Sequence, residues 1–268
     1  MTGSRYKKDI IPVVNYSKSV LIVGASGGLG TAIAQRLAGP DTLLVLWGRD
    51  LARLQNTATL CSAAGAVTQT RSLDLRDIAA ALAAIAADDA ATPFDMVVFA
   101  QGRGDIRAAD DRVEQPGLVT ELALVNFTGP ATLAAAMGQA MAARGKGRIV
   151  LIGSAAGFHS LPFATAYAGT KAGLARFADA LRLALRGHGV SVTLVSPGFI
   201  DTAAGRQVPG PKPMLMAPDV VADRIVRAAE QGRAHLVLPW PFVVLRWLDR
   251  LLPRAWRDRL LLSLAPPA

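Results

Sequence analysis

Short apolar and β-branched runs alternate with longer Ala- and Leu-rich stretches through most of this chain. Ser19–Val23, Thr42–Trp47, Ala66–Leu73, Asp95–Ala100, Arg148–Ile152, Val190–Val195 and His235–Leu238 read as seven strands. The stretches near 28–38, 51–64, 77–90, 117–144, 164–187 and 217–231 read as the helices between them. Such strict alternation predicts an α/β fold, a parallel sheet covered by helices on both faces. No composition break or internal repeat divides the body, so one domain over 19–239 is expected. A basic N-terminal extension (1–18) and a C-terminal amphipathic basic tail (240–268) flank it. Residues 198–216 hold three prolines and three glycines and read as a long functional loop.

Composition narrows the class. The chain has 268 residues and is 51% apolar, enough to bury a sizeable core. Cys61 is its only cysteine, which excludes an intrachain disulfide and favours a reducing, cytoplasmic compartment. The first twenty residues lack a signal-peptide core, and no uncharged apolar run reaches bilayer length, so a soluble protein is expected. The net charge of +9 sits mostly at the ends: +3 over 1–18 and +4 over 233–268. A body of only +2 without a binding motif argues against nucleic acid as a partner. No metal site is expected.

The first strand runs into Gly24-Ala-Ser-Gly-Gly28-Leu-Gly30, where a helix begins. Glycines there let backbone N–H groups approach a pyrophosphate, and the helix N-terminus adds partial positive charge. Placed directly after the first strand of an alternating chain, the loop predicts dinucleotide binding.

Further landmarks follow in order. Asp74-Leu75 closes the third strand, Asn126 lies in Leu-Val-Asn-Phe-Thr-Gly, and Ser154 ends the fifth strand. Tyr167 and Lys171 form Tyr-x-x-x-Lys, and Pro197-Gly198 precedes Thr202. Together with the G-x-x-x-G-x-G loop, this pattern over 19–240 resembles the short-chain dehydrogenase/reductase (SDR) family. The resemblance implies a Rossmann-type doubly wound sheet and an NAD(P)-dependent oxidoreductase that interconverts a carbonyl and a secondary alcohol. It implies cofactor contacts from Gly24, Ser26, Gly28, Leu29, Gly30 and Gly102. Asp74 and Leu75 would meet the adenine, and Pro197, Gly198, Ile200 and Thr202 would complete the cofactor site.

Two positions depart from the family. Val23 replaces a threonine, and Phe99-Ala100-Gln101-Gly102 replaces Asn-Asn-Ala-Gly. Losing both polar partners together reads as one apolar repacking that leaves no orphaned polar group.

Tyr167 and Lys171, four apart on a helix, project from one face. A neighbouring ammonium favours a phenolate and would lower the tyrosine pKa. By resemblance, Tyr167 is the acid/base and Lys171 also holds the nicotinamide ribose. Ser154 would bond the substrate oxygen, and Asn126 would anchor a water that relays protons to Lys171.

The second strand ends in Leu46-Trp47-Gly48-Arg49-Asp50. An NAD enzyme usually carries an acid at this strand end, whereas Arg49 suits a 2′-phosphate, so NADP(H) is favoured over NAD(H). In the alternative, Arg49 is a solvated loop residue and Asp50 serves the ribose.

Phe158, Leu161, Phe163, Phe199, Met214 and Met216 predict an apolar substrate pocket, suited to a lipid-like substrate; His159 reads as a solvated loop residue. In the tail, Trp240, Trp247 and Trp256 mix with leucines and Arg246, Arg250, Arg254, Arg257 and Arg259. Two amphipathic helices fit this, packed on the body or on a second subunit, or docked peripherally on the inner face of a membrane. Family habit suggests a homodimer or homotetramer through the helices carrying Asn126 and Tyr167. The alternatives are an epimerase or dehydratase on the same fold and a non-catalytic NADP-binding sensor or scaffold. The first group usually has another glycine pattern and a larger C-terminal domain, and the second typically loses the tyrosine, lysine or serine.

Overall fold

Lys18–Val23 forms β1, and its side chains alternate between the two cores of the molecule, Val20 and Ile22 on one face, Leu21 and Val23 on the other. A computed structural model describes residues 16–104, 108, 111–208 and 210–263. The other strands are β2 (Thr42–Gly48), β3 (Val67–Ser72), β4 (Met96–Phe99), β5 (Gly147–Ile152), β6 (Val190–Pro197) and β7 (His235–Leu238). They form one seven-stranded parallel sheet in the order β3-β2-β1-β4-β5-β6-β7. The doubly wound sheet expected from the alternation is present. The central strands are buried along their length, while β3 (VTQTRS) is a polar edge strand.

Helices α1 (Gly28–Leu37), α2 (Leu51–Ala63) and α8 (Pro218–Glu230) cover one face. Helices α3 (Ile78–Ala91), α5 (Gly129–Arg144) and α6 (Thr165–Ala184) cover the other. Strand order reverses between β1 and β4, and the crevice beyond the carboxyl ends of these strands is where such sheets bind ligands.

Three expectations change in detail. The single helix expected near 117–144 is α4 (Pro116–Ala123), a π turn over Leu124–Thr128, and α5. Pro130 has no N–H to give the Asn126 carbonyl, and the Gly129 N–H reaches back to the Leu124 carbonyl instead, which widens the turn. Pro116 to Arg144 is also long and apolar enough to cross a bilayer, against the expectation that no run is. It packs as a layer helix, with Leu133, Ala134, Met137 and Met141 buried in the core. The 198–216 connection is not all loop: it holds the short helix α7 (Ala203–Gln207), and Ile200 pairs with Met216.

Lys18, counted with the N-terminal extension, opens β1 and donates to Glu230 at 3.0 Å. Residues 1–15 of that extension and 264–268 of the tail lie outside the described residues. The two helices expected in the tail are α9 (Pro241–Leu251) and α10 (Arg254–Ser263).

Candidate active site

The turn after β1 is held by its own backbone. Gly24 and Ala25 N–H both donate to the Trp47 carbonyl, and Gly27 N–H donates to Gly24. Gly24 has φ of +90°, and a Cβ there would stand 2.5 Å from the Gln101 nitrogen. Only glycine suits both conditions. Helix α1 starts at Gly28 with no side-chain cap and no acid in its first turn, so its leading N–H groups face the crevice unneutralised. Gly30 lies buried in that first turn, and Leu29 turns its side chain into the core. Across the crevice Thr202 approaches so closely that a Cβ on Gly28 would be 2.8 Å from its Cγ2. Thr202 Oγ1 accepts from Gly205 N–H, which caps α7 and leaves the hydroxyl proton to give. The two segments that would hold a pyrophosphate are therefore adjacent.

At the end of β2, Ser26 Oγ packs against Gly48, where a Cβ would be 2.6 Å away. Arg49 is exposed, and its carbonyl accepts from Ser72. Asp50, the alternative ribose partner, caps α2 through Arg53 N–H at 3.0 Å. Arg53 is a residue sequence reasoning missed. It lines a cavity of about 400 Å³ with Ser26, Gly28 and Asn56, and Asp219 also forms part of its wall. Leu75 is buried as expected. Asp74 is engaged: Arg76 donates to both of its oxygens, and chiefly this guanidinium holds the carboxyl below its usual range. An adenine would share Asp74 with Arg76.

Tyr167, Lys171, Ser154 and Asn126 converge, as the sequence suggested. Ser154 Oγ accepts from Ala156 N–H at 3.1 Å, which fixes the hydroxyl beside the Tyr167 phenol. Lys171 is 3% exposed, and its Nζ donates to the Ile152 carbonyl at 3.0 Å. A Cβ on Gly102 would lie 3.3 Å from Lys171 Nζ and 3.5 Å from Asn126 Oδ1. The fully buried Asn126 clamps the next residue: its Oδ1 accepts from Arg103 N–H and its Nδ2 donates to the Arg103 carbonyl. Its side chain thus shapes the turn after β4, a contact the spacing did not suggest.

One electrostatic expectation is corrected. Burial pushes the Tyr167 phenol up, and the bond with Ser154 works against it. The ammonium is 6.0 Å from the ring centroid and turned to Ile152, while burial lowers its own pKa to about 8.

The expected apolar repacking is also corrected. Val23 is buried and Ala100 packs on the core, but both amide atoms of Gln101 are buried without a partner. Gln101 lies between Gly24 and Gly102, so this unpaired amide sits along the path from the glycine loop to Lys171. The open N-terminus of α1, the crowded glycines and this orphaned amide fit a dinucleotide laid across the strand ends.

Of the expected apolar wall, Met214 is exposed at φ +58°, and Phe158, Leu161, Phe163, Phe199 and Met216 are half-buried. Arg246 of α9 lies 4.9 Å over the Phe158 ring, so a cation also borders this side. Pro197 is buried at the end of β6, and Phe242 of α9 packs so tightly on Gly198 that a Cβ there would be 2.4 Å from it. A second missed residue, Glu114, is 4% exposed and accepts from Thr165 Oγ1 and Ala166 N–H at the start of α6. No local signal marks a cap that comes from so far along the chain.

The family model described as short chain dehydrogenase matches residues 18–211. An uncharacterized oxidoreductase of Myxococcus xanthus (strain DK1622) is 33% identical over 246 residues, 90% of this chain and 95% of that protein. A short-chain dehydrogenase from Sphingobium yanoikuyae, solved in complex with NADPH, superposes with a TM-score of 0.75 at 27% identity, covering 94% of this chain and 97% of that one. The bulky-bulky ketone specific alcohol dehydrogenase from Comamonas testosteroni gives 0.74 at 26% identity, covering 94% and 96%.

Proposed function

Because the chain belongs to the short-chain dehydrogenase family and is an NAD(P)-dependent oxidoreductase of carbonyl and alcohol groups, we propose that Tyr167 is its acid/base, assisted by Ser154, Lys171 and Asn126. The observation that carries this reading is the convergence of Lys171 and Asn126 on Gly102 with Ser154 against Tyr167.

The bound nicotinamide supplies the hydride in reduction and accepts it in oxidation. Tyr167 gives its phenolic proton to the carbonyl oxygen in reduction and takes it back in oxidation. Ser154, its oxygen held by Ala156 N–H and its side chain bonded to the Tyr167 phenol, would give its proton to the same substrate oxygen once a carbonyl is seated there. With a pKa near 8, Lys171 gains and loses a proton close to neutral pH, which suits it to reprotonate Tyr167. An ammonium has three donors, and Ile152 takes one, leaving two for ribose hydroxyls. Tyr167→Phe should abolish turnover and leave cofactor binding nearly intact; retained activity would overturn the assignment.

The cofactor reading favours NADP. Arg53 lines the cavity that Ser26 also borders, Arg49 follows the Gly48 on which Ser26 packs, and Asp50 caps α2, so a 2′-phosphate there would meet two guanidinium groups. Arg49→Ala should weaken NADP binding at least about tenfold and spare NAD; an unchanged preference would refute the role. The half-buried aromatics after Ser154 suit an apolar substrate, which a ketone screen followed by NADPH absorbance would test. A cytoplasmic location and a dimer or tetramer through α4, α5 and α6 complete the proposal; light scattering checks the mass.

A further inference from the structure

Three of the four tryptophans lie in or next to α9 and α10, and the fourth, Trp47, is 1% exposed in the core. Trp240 is 72% exposed, Trp247 57% and Trp256 70%. Exposure of this kind follows a stripe. Val244, Trp247 and Leu251 recur at spacings of three and four, which places them on one side of α9, and Trp240 just before the helix stands four residues ahead of Val244. Trp256 and the exposed Leu260, four apart, repeat the pattern on α10. The inner side of α9 is committed to the body: Phe242 packs on Gly198, and Arg246 covers Phe158.

Charge decides what meets this stripe. Residues 240–263 carry five arginines against Asp249 and Asp258, a net +3. Asp258 is already paired with Arg254 and Arg257. A second copy would bring a positive arm against a positive arm. Residues 1–15 are themselves net positive and would be repelled from it, and 264–268 are five uncharged residues. An anionic surface with an apolar interior satisfies both features at once, because Trp and Leu favour the headgroup boundary and Arg pairs with anionic headgroups.

We propose that α9 and α10 form a docking arm that seats on an anionic phospholipid bilayer through Trp240, Val244, Trp247, Leu251, Trp256 and Leu260. Since the inner side of α9 touches Gly198 and Phe158, docking brings the substrate side of the site to the bilayer, where an apolar substrate would be dissolved. That last step rests on the functional reading above; the docking itself does not.

The test uses the full chain and reads binding, not turnover. Wild type should co-sediment with mixed phosphatidylcholine/phosphatidylserine vesicles, more weakly with phosphatidylcholine alone and more weakly as salt rises. Trp240→Ser/Trp247→Ser/Trp256→Ser should bind at least about tenfold less tightly with an unchanged Tm. Brominated lipid should quench wild-type fluorescence, and this measurement stands even if the variant misfolds. Absence of co-sedimentation, equal binding by wild type and variant, or unquenched fluorescence overturns the proposal. So does a variant that keeps vesicle binding but changes oligomeric mass, which assigns the stripe to a second copy. Loss of turnover with docking intact would count against the functional reading alone.

Discussion

Removing Glu114 should loosen the helix that carries Tyr167 and Lys171. Helix α6 has Ala164 at its N-cap, no side-chain cap of its own and no acid in its first turn. Glu114 supplies what is missing from a segment about fifty residues earlier, accepting from Thr165 Oγ1 at 2.6 Å and from Ala166 N–H at 2.9 Å. Hydrogen bonds to a charged group contribute about 1.5–3 kcal/mol each, and an anion at a helix N-terminus adds roughly 0.3–1 kcal/mol. Thr165 is exposed, so water replaces its partner in part. Glu114→Ala should therefore cost about 3 kcal/mol, or roughly 6–12 °C in Tm for a chain of this size. Glu114→Gln keeps one acceptor and should cost about half as much. The pH dependence separates charge from shape. Burial works to raise the Glu114 pKa, but the bonds from Thr165 and the backbone outweigh it, and the carboxyl sits below its ordinary value. A depressed carboxylate stabilises fully above its unfolded pKa, and that stability is lost as pH falls through the folded value. The Tm gap between wild type and Glu114→Gln, read by scanning calorimetry, should hold at neutral pH and close on acidification below about pH 4. A constant gap down to about pH 3, or an alanine variant within about 1 °C of wild type at neutral pH, would refute the capping account.

Three more outcomes follow from the same geometry. Lys171 has a folded pKa of about 8 against an ordinary 10.5, so the unfolded chain binds more protons between these values and stability rises with pH there. The Tm of cofactor-free wild type, relative to Lys171→Met, should move in favour of wild type across that window; a flat difference counts against it. Gln101→Leu removes two orphaned amide atoms, so cofactor-free stability should rise by about 1–2 kcal/mol while dinucleotide affinity falls. A lower Tm with unchanged affinity would sink that reading. Gly24→Ala faces both positive φ and a Cβ 2.5 Å from Gln101, and should lose at least about 2 kcal/mol in thermal unfolding; a neutral result would be inconsistent with the tight approach.

Much of this molecule is legible along the chain because the features involved are local. Period-two and apolar runs mark the seven strands and make them parallel, since a stretch long enough to cross over separates each strand from the next. The glycines after β1 and the four-residue spacing of Tyr167 and Lys171 each state their geometry within one turn of backbone. The tertiary structure decides what depends on partners far apart in sequence. Glu114 reaches α6, Phe242 reaches Gly198, and Asn126 clamps Arg103, with no periodicity to announce them. The direction of a pKa is likewise invisible from spacing: Lys171 stands where an ammonium would lower Tyr167, yet burial dominates and the charge turns to Ile152. The departure at Phe99-Ala100-Gln101 reads as apolar from the residues, and only packing exposes the unpaired amide. Sequence fixes which groups are present and how neighbours repeat. Three-dimensional packing fixes which of them lose water, and that loss sets their energies.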